Sequence, residues 1–316
     1  MSAIIEVKGL TKRYGRLTAL NDLNLSIEQG SVYGFIGPNG AGKTTTMRIL
    51  TTLLKPTSGE AWIAGYSILK EPRNVRRVIG YMPDFFGVYD DMKVWEYLDF
   101  FAACYDIPLM TRQSMIDDLL ALVDLSHKKD AYVESLSRGM KQRLCLARTL
   151  AHDPEVLILD EPASGLDPRA RIEIRELLRE LKNMGKTIFF SSHILSEVAD
   201  ICDSIGIIEA GTLVAHGSLE AIKQQLRTHR IIQVRVLGDT TPVKEFLLRH
   251  ELASLNGEAN DDLPENVVRF DFVGDDVAMS QLLREMINHG IQVVSFTEES
   301  DDLEDVFMKL TKGVVH

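Results

Sequence analysis

The chain has 316 residues, 45% hydrophobic and 26% charged, the usage of an ordinary globular protein of about two domains. Collagen-like, disulfide-scaffold and wholly disordered classes are thereby excluded. With 35 basic against 46 acidic residues the net charge is −11, which weighs against a nucleic-acid partner, because phosphate binding needs a positive footprint.

Ile5 and Val7 flank Glu6, and Leu23, Leu25 and Ile27 alternate with Asn24, Ser26 and Glu28, the period of half-buried strands. The apolar run 31–36 reads as a buried strand entering a glycine-rich turn. Beyond it Met47, Leu50 and Leu54, spaced three to four apart, predict a helix. From 84 to 153 the pattern is helical without alternation, and Leu119, Leu122 and Val123 form one stripe. From 155 onward strand and helix alternate: a strand at 156–159, a helix along Ile174, Leu177, Leu178 and Leu181, and a strand at 187–190. That order implies a mainly parallel sheet flanked by helices. Strands at 205–208 and 212–215, separated by an Ala-Gly turn, complete it. A second unit begins near 228. Ile232, Val234 and Val236 alternate, 242–248 reads as helix, and Val268, Phe270 and Phe272 alternate again. Met279, Leu282, Leu283, Met286 and Ile287 make a helical stripe, and 291–296 is a further strand. Residues 256–266 form the expected loop, and the order suggests a small α+β sandwich of ferredoxin-like type.

The segment Gly37-Pro38-Asn39-Gly40-Ala41-Gly42-Lys43-Thr44 matches the phosphate-binding loop, between a buried strand and a helix as its mechanism requires. Backbone N–H groups of the turn and the helix N-terminus face phosphates, and side chains at Gly40 or Gly42 would obstruct that wrap. Lys43 reaches the β- and γ-phosphates, and Thr44 holds Mg2+. The strand 156–159 delivers Asp160-Glu161-Pro162. Asp160 reads as the metal-side acid and Glu161 as the group that polarises the attacking water; taken alone, such a pair is more often a helix N-cap. Leu136-Ser137-Arg138-Gly139-Met140-Lys141-Gln142 opens a helix containing Leu144, Ala147, Leu150 and Ala151. Ser137 and Gly139 there make either an anion site or a capped helix with nothing bound.

The longest uninterrupted apolar run, at 100–105, is far short of the about 20 residues that span a bilayer, so the chain is expected to have no membrane segment. Its beginning, Met-Ser-Ala-Ile-Ile-Glu-Val-Lys, lacks the pattern of a secretory leader. Cys104, Cys145 and Cys202 are odd in number and widely spaced, and read as reduced thiols in a cytoplasmic protein.

In this order and spacing, the phosphate loop, the Leu-Ser-Arg-Gly-Met-Lys-Gln segment and Leu-Asp-Glu-Pro resemble the nucleotide-binding subunit of an ABC transporter over roughly residues 3–218. No Asn-Lys-x-Asp guanine-reading motif is present, which disfavours a GTPase. The resemblance implies an α/β phosphate-loop NTPase core over 1–220, with an N-terminal antiparallel β subdomain and a helical insert at about 84–153. A small α+β accessory domain over 221–316 follows. It implies ATP held by Tyr14 stacking on adenine and by Gly37, Pro38, Asn39, Gly40, Ala41, Gly42, Lys43, Thr44 and Thr45. Mg2+ would sit on Thr44, Asp160 and Asp84, with Glu161, His193, Lys43 and Asp84 as catalytic residues. From the residues themselves, the alternatives are a strand-end tyrosine at Tyr14 and a surface or cap residue at His193. Asp84 stands where the family usually has glutamine. It either binds Mg2+ more strongly while adding negative charge near the γ-phosphate, or faces water as a cap.

In the family two such subunits meet head to tail, so Ser137 and Gly139 would serve the ATP of a second copy or a related ATPase subunit. Ser164-Gly165-Leu166-Asp167 resembles the loop that communicates across that dimer. Phe85, Phe86, Tyr89, Trp95 and Tyr97 are either core or the groove that receives a helix of an integral membrane permease. The tail from Thr297 resembles the ending of a C-terminal domain of bacterial exporter-type subunits, with Asp301 or Asp302 capping a helix of Leu303, Val306, Phe307 and Leu310. The expected function is an ATP-hydrolysing subunit that dimerises on ATP and powers export through a separate permease. It would sit on the inner face of the plasma membrane, without touching the cargo or nucleic acid. The alternatives are a non-transport ABC ATPase acting on nucleic acid or ribosomes, disfavoured by the single signature and lack of a heptad run, or a nucleotide-dependent regulatory module, disfavoured by the presence of Glu161 and His193.

Overall fold

The opening alternation becomes β1 (Ala3–Tyr14) and β2 (Leu17–Glu28), paired antiparallel, with Ile5, Leu10, Leu23 and Ile27 buried on the inward face. A computed structural model describes residues 3–85, 87, 89, 91–194, 198, 200–218, 221–222, 230–250, 252–255 and 263–299. β3 (Val32–Ile36) is buried along its whole length and leads through the glycine turn into α1 (Lys43–Leu50). Leu54 lies beyond the helix rather than in it. Thr51 closes the last turn and Thr52 takes a left-handed φ of 64°, after which Leu54 packs on the core from a turn.

Residues 55–83, unassigned by periodicity, hold β4 (Ser58–Ile63), β5 (Tyr66–Ser67), α2 (Pro72–Val78) and β6 (Ile79–Met82). These are too short for a period to show. The second residue of β4 is glycine for a steric reason: a Cβ on Gly59 would lie 2.3 Å from the Gly9 carbonyl oxygen of the paired β1. The helical insert consists of α3 (Val94–Cys104), α4 (Leu109–Leu122) and α5 (Arg138–Leu150). There follow β7 (Val156–Leu159), α6 (Pro168–Asn183), β8 (Thr187–Ser192), β9 (Ser204–Glu209) and β10 (Thr212–Gly217).

Two sheets result. One is antiparallel, in the order β2-β1-β4-β5; the other has six strands, β10-β9-β3-β8-β7-β6, parallel except for the β9–β10 hairpin. One apolar core joins them, with Phe35, Met47 and Phe189 meeting Ile5, Leu10 and Leu23. Each such side chain contributes about 1.5–3 kcal/mol on burial. The phosphate loop, Asp160 and Ser192 all leave the carboxyl ends of adjacent parallel strands, where α/β sheets place their ligands.

Among the described residues, those up to 218 form one compact unit and those from 221 onward another. The second comprises β11 (Arg230–Val236), α7 (Thr241–Leu248), β12 (Ala253–Ser254), β13 (Val267–Phe272), α8 (Asp276–Asn288) and β14 (Val293–Glu299). Its sheet order β12-β13-β11-β14, all antiparallel, is that of a ferredoxin-like sandwich. Leu282 and Met286 face its core, whereas Ile287, expected in the same stripe, is exposed. Of the expected 256–266 loop only 263–266 are described, and the helix expected around Leu303–Leu310 lies outside the described residues.

Candidate nucleotide site

A cleft of about 450 Å³ opens over the phosphate loop, lined by Pro38 to Thr45 together with Asp84, Glu161, Ser164 and His193. Gly42 caps α1 with φ 111°, a conformation open to glycine alone, and so aims the first helical N–H groups into the cleft. The Lys43 ammonium donates to the carbonyls of Gly37 (2.6 Å) and Pro38 (3.2 Å) and lies 3.3 Å from Glu161 Oε1.

Glu161 sits at φ 51°, a left-handed backbone uncommon for a side chain of its size. Three groups hold it there. Its N–H donates to Ser191 Oγ at 2.9 Å, Lys43 faces Oε1, and His193 Nδ1 bonds Oε2 at 2.8 Å. A carboxylate only accepts, so His193 carries its proton on Nδ1 and keeps Nε2 for another partner. Backbone strain of this kind persists where the surroundings over-determine it, which at a cleft points to function.

Asp160 is wholly buried at the end of β7. Its Oδ1 accepts from Ser191 Oγ at 2.7 Å, while its buried Oδ2 has no hydrogen-bond partner among the described residues. Burial pushes this carboxyl above the usual carboxylate range; the Ser191 and Thr44 hydroxyls pull it back, and the Asp84 and Glu161 charges push it up again. A bare carboxylate oxygen beside the Thr44 hydroxyl, with the Asp84 carboxylate in the same cleft, is a hard-oxygen donor set that fits Mg2+.

Tyr14, Ser137 and Gly139 lie apart from the cleft. Tyr14 ends β1, half-exposed, with the Lys12 ammonium 5.0 Å above its ring. Ser137 is the N-cap of α5, its Oγ accepting the Met140 N–H at 3.3 Å, and Gly139 lies in the first turn. The aromatic cluster also divides. Tyr97 is fully buried and bonds Arg148, Trp95 lines a cavity with Leu109 and Ile116, and Phe85 and Tyr89 are exposed; Phe86 lies outside the described residues. A second groove beside the insert is lined by Tyr81, Phe101, Tyr105 and Arg148.

Periodicity and motif reading missed three linking residues. Ser191 joins Asp160 to Glu161, Gln142 donates to the Pro162 carbonyl at 2.7 Å, and Arg138 donates to the Ser164 carbonyl at 3.2 Å.

Strand, glycine loop, helix, buried aspartate and adjoining glutamate define a phosphate-loop nucleotide hydrolase. Residues 20–164 match the family described as ABC transporter, and residues 217–311 match the C-terminal domain of DrrA1-3-like ATP-binding proteins. The bacitracin transport ATP-binding protein BcrA of Bacillus licheniformis is 38% identical over 99% of both chains. A Nod factor export ATP-binding protein I, from Ralstonia nicotianae, is 36% identical over 98% of this chain and 94% of its own. The structure of an ATP-binding subunit of an ABC transporter superposes with a TM-score of 0.64 at 32% identity, covering 70% of this chain and 92% of that one. An ATP-binding cassette solved as a dimer in a post-hydrolysis state with ADP and Pi gives a TM-score of 0.62 at 26% identity, covering 68% and 98%. The chain belongs to the ATP-binding subunits of ABC transporters and is an ATPase.

Proposed function

We propose that this subunit dimerises on ATP and powers export of a cargo through a separate membrane permease, with residues 1–220 as the motor and 221–316 as an accessory domain. The observation that carries the hydrolytic part is Glu161, held by Lys43, His193 and Ser191 at the rim of the phosphate loop. Export is supported by relatives named for bacitracin transport, Nod factor export and linearmycin resistance, the last from Bacillus subtilis at 31% identity over 98% of both chains. Among the described residues no helix is long and apolar enough to cross a membrane, which fits a permease on another chain at the inner membrane face.

In this reading the loop N–H groups from Gly37 to Thr45 and the Lys43 ammonium hold the phosphates in line, and Tyr14 supports the adenine. Thr44, Asp160 and Asp84 would hold Mg2+, which would supply neutralisation of phosphate charge. Glu161 polarises the attacking water, and His193 offers Nε2 to the γ-phosphate. Ser137 and Gly139, outside their own cleft, close on the ATP of a second copy. The groove of Tyr81, Phe101 and Tyr105 accepts an apolar helix of the permease, while the cargo stays on the permease.

Glu161→Gln tests the reading. Its ATPase rate falls about 10²–10⁴-fold, the range for a lost general base, and size-exclusion runs with ATP show a stable dimer absent without ATP. A variant that binds ATP and stays monomeric refutes the sandwich. A pull-down from detergent-solubilised membranes that brings down no multi-spanning protein refutes export.

A further inference from the structure

We infer that Ser191 is a positioning residue that sets the metal-side acid and the water-side acid of this ATPase with a single hydroxyl. The inference rests on the roles proposed above for Asp160 and Glu161.

The register explains why Ser191 is there. β8 pairs in parallel with β7, Phe190 beside Leu159, so the next residues along are Ser191 and Asp160. On the other flank Ser191 pairs with Phe35, the penultimate residue of the strand that feeds the phosphate loop. Side chains alternate along a strand, so Ser191 shares a face with Phe189, whose ring packs 5.5 Å from Phe35 in the core. A fully apolar residue would suit this position by packing alone, yet a wholly buried serine occupies it.

A hydroxyl has one proton and two lone pairs. The Glu161 N–H takes one lone pair at 2.9 Å, so the proton is directed to Asp160 Oδ1 at 2.7 Å. Two consequences follow. Asp160 is left with Oδ2 as its unpaired oxygen, so the hydroxyl decides which oxygen is presented to a cation. The same atom anchors the backbone of Glu161 at φ 51°, from which its carboxylate reaches Lys43 and His193. Without the hydroxyl, the Asp160 carboxylate loses the bond that fixes Oδ1 and the left-handed turn loses its anchor. The effect on catalysis is indirect, since Ser191 itself is too deep to touch nucleotide.

The full-length protein is compared with Ser191→Ala and Ser191→Thr, and with Glu161→Gln as the reference for the acid roles. A hydrogen bond to a charged group is worth enough that Ser191→Ala lowers kcat about ten- to a hundredfold, with KM for ATP moving by less than about twofold. The affinity for Mn2+ in the presence of ATP, titrated by electron paramagnetic resonance, weakens about fivefold or more, because the open oxygen of Asp160 is no longer fixed. Ser191→Thr keeps the hydroxyl and restores both readings to within about threefold of the native protein. Native kcat and native Mn2+ affinity in Ser191→Ala overturn the inference. So does a Ser191→Ala protein that loses ATP affinity and melting temperature together at unchanged Mn2+ affinity, the outcome of a purely structural serine. Should the extra methyl keep Ser191→Thr from folding, the Mn2+ titration of Ser191→Ala decides alone. A Glu161→Gln protein that hydrolyses ATP at the native rate removes the underlying roles instead, and is thus told apart from failure of Ser191.

Discussion

Gly42→Ala is the sharpest test of how the phosphate loop is built. Two independent penalties meet at this residue. Its φ of 111° lies where L side chains are rarely found, a strain of about 1–3 kcal/mol for a non-glycine residue. A methyl group there would also lie 2.8 Å from the Ala19 carbonyl oxygen, 2.8 Å from Leu20 Cδ2 and 3.3 Å from Ile208 Cδ1. Leu20 is wholly buried, and Gly211 lies close enough to the same Ala19 carbonyl that a Cβ there would come within 2.7 Å of its oxygen, so the loop rather than β2 yields. Overpacking of this order adds about 1–3 kcal/mol. The loop relieves both by moving, which turns N–H groups away from the phosphates. If binding ATP requires the native turn, the lower sum of about 2 kcal/mol already weakens affinity about thirtyfold. Titration with a fluorescent ATP analogue measures this, alongside thermal melting to confirm the fold. Gly30→Ala is the control, because Gly30 has positive φ (74°) but open space around it and lies away from the cleft, so it tests strain alone. A Gly42→Ala protein that binds ATP within about threefold of the native chain would show that the turn geometry is not what holds phosphate.

Two further outcomes bear on the rest of the molecule. Phe270→Ala empties a fully buried position of the second unit, and a loss of about 3–5 kcal/mol is expected; calorimetry should show one transition shifted while ATP affinity is kept, and loss of ATP affinity would refute the separation of the units. His152 stacks on Tyr105 at 3.8 Å and bonds the Ile79 carbonyl through Nε2, with its buried Nδ1 unpartnered among the described residues, and burial lowers its pKa below the usual histidine value. A histidine lowered in the folded state contributes full stability above its unfolded value of about 6.5 and loses it as pH falls. The gap in melting temperature between the native chain and His152→Gln should therefore narrow from pH 7.5 to 5.5, and a gap independent of pH would contradict the reasoning.

The sequence disclosed most where chemistry fixes residue type. Phosphate wrapping admits only glycine at positions such as Gly42, so the loop was legible, and with it the strand before and the helix after. The long buried strands and the alternating strands of the second unit were legible from period alone. Residues 55–83 were not, because β4, β5 and β6 have two to six residues each and their glycines, Gly59 and Gly80, serve close backbone approach rather than turns. The lining of Tyr81, Phe101 and Tyr105 gave no signal for a related reason. Aromatic density along 85–97 does not say which side chains turn inward: Tyr97 is buried while Phe85 and Tyr89 are exposed. Ser191, Gln142 and Arg138 were hidden because their partners lie 20 to 31 residues away, mostly on backbone atoms that carry no sequence signature.

Those long-range partners bear on the proposed dimer. Gln142 and Arg138 stand on α5, and both donate to carbonyls of the segment that follows Glu161, at Pro162 and Ser164. Gly165 completes the joint, since a Cβ there would lie 2.3 Å from the Arg138 guanidinium, so the loop must lie flat against the helix. A one-turn displacement of α5 cannot leave these bonds intact, and Glu161, held at φ 51° immediately before them, has to respond. Yet the N-terminal turn of the same helix, with Ser137 and Gly139, lies outside the cleft of its own chain. In the proposed dimer that turn rests on the partner's ATP. The nucleotide of one copy then positions α5 of the other, and through Pro162 and Ser164 it positions the other's Glu161. In that proposed dimer, helix α5 would tie closure to the geometry of hydrolysis, with no need for a longer path.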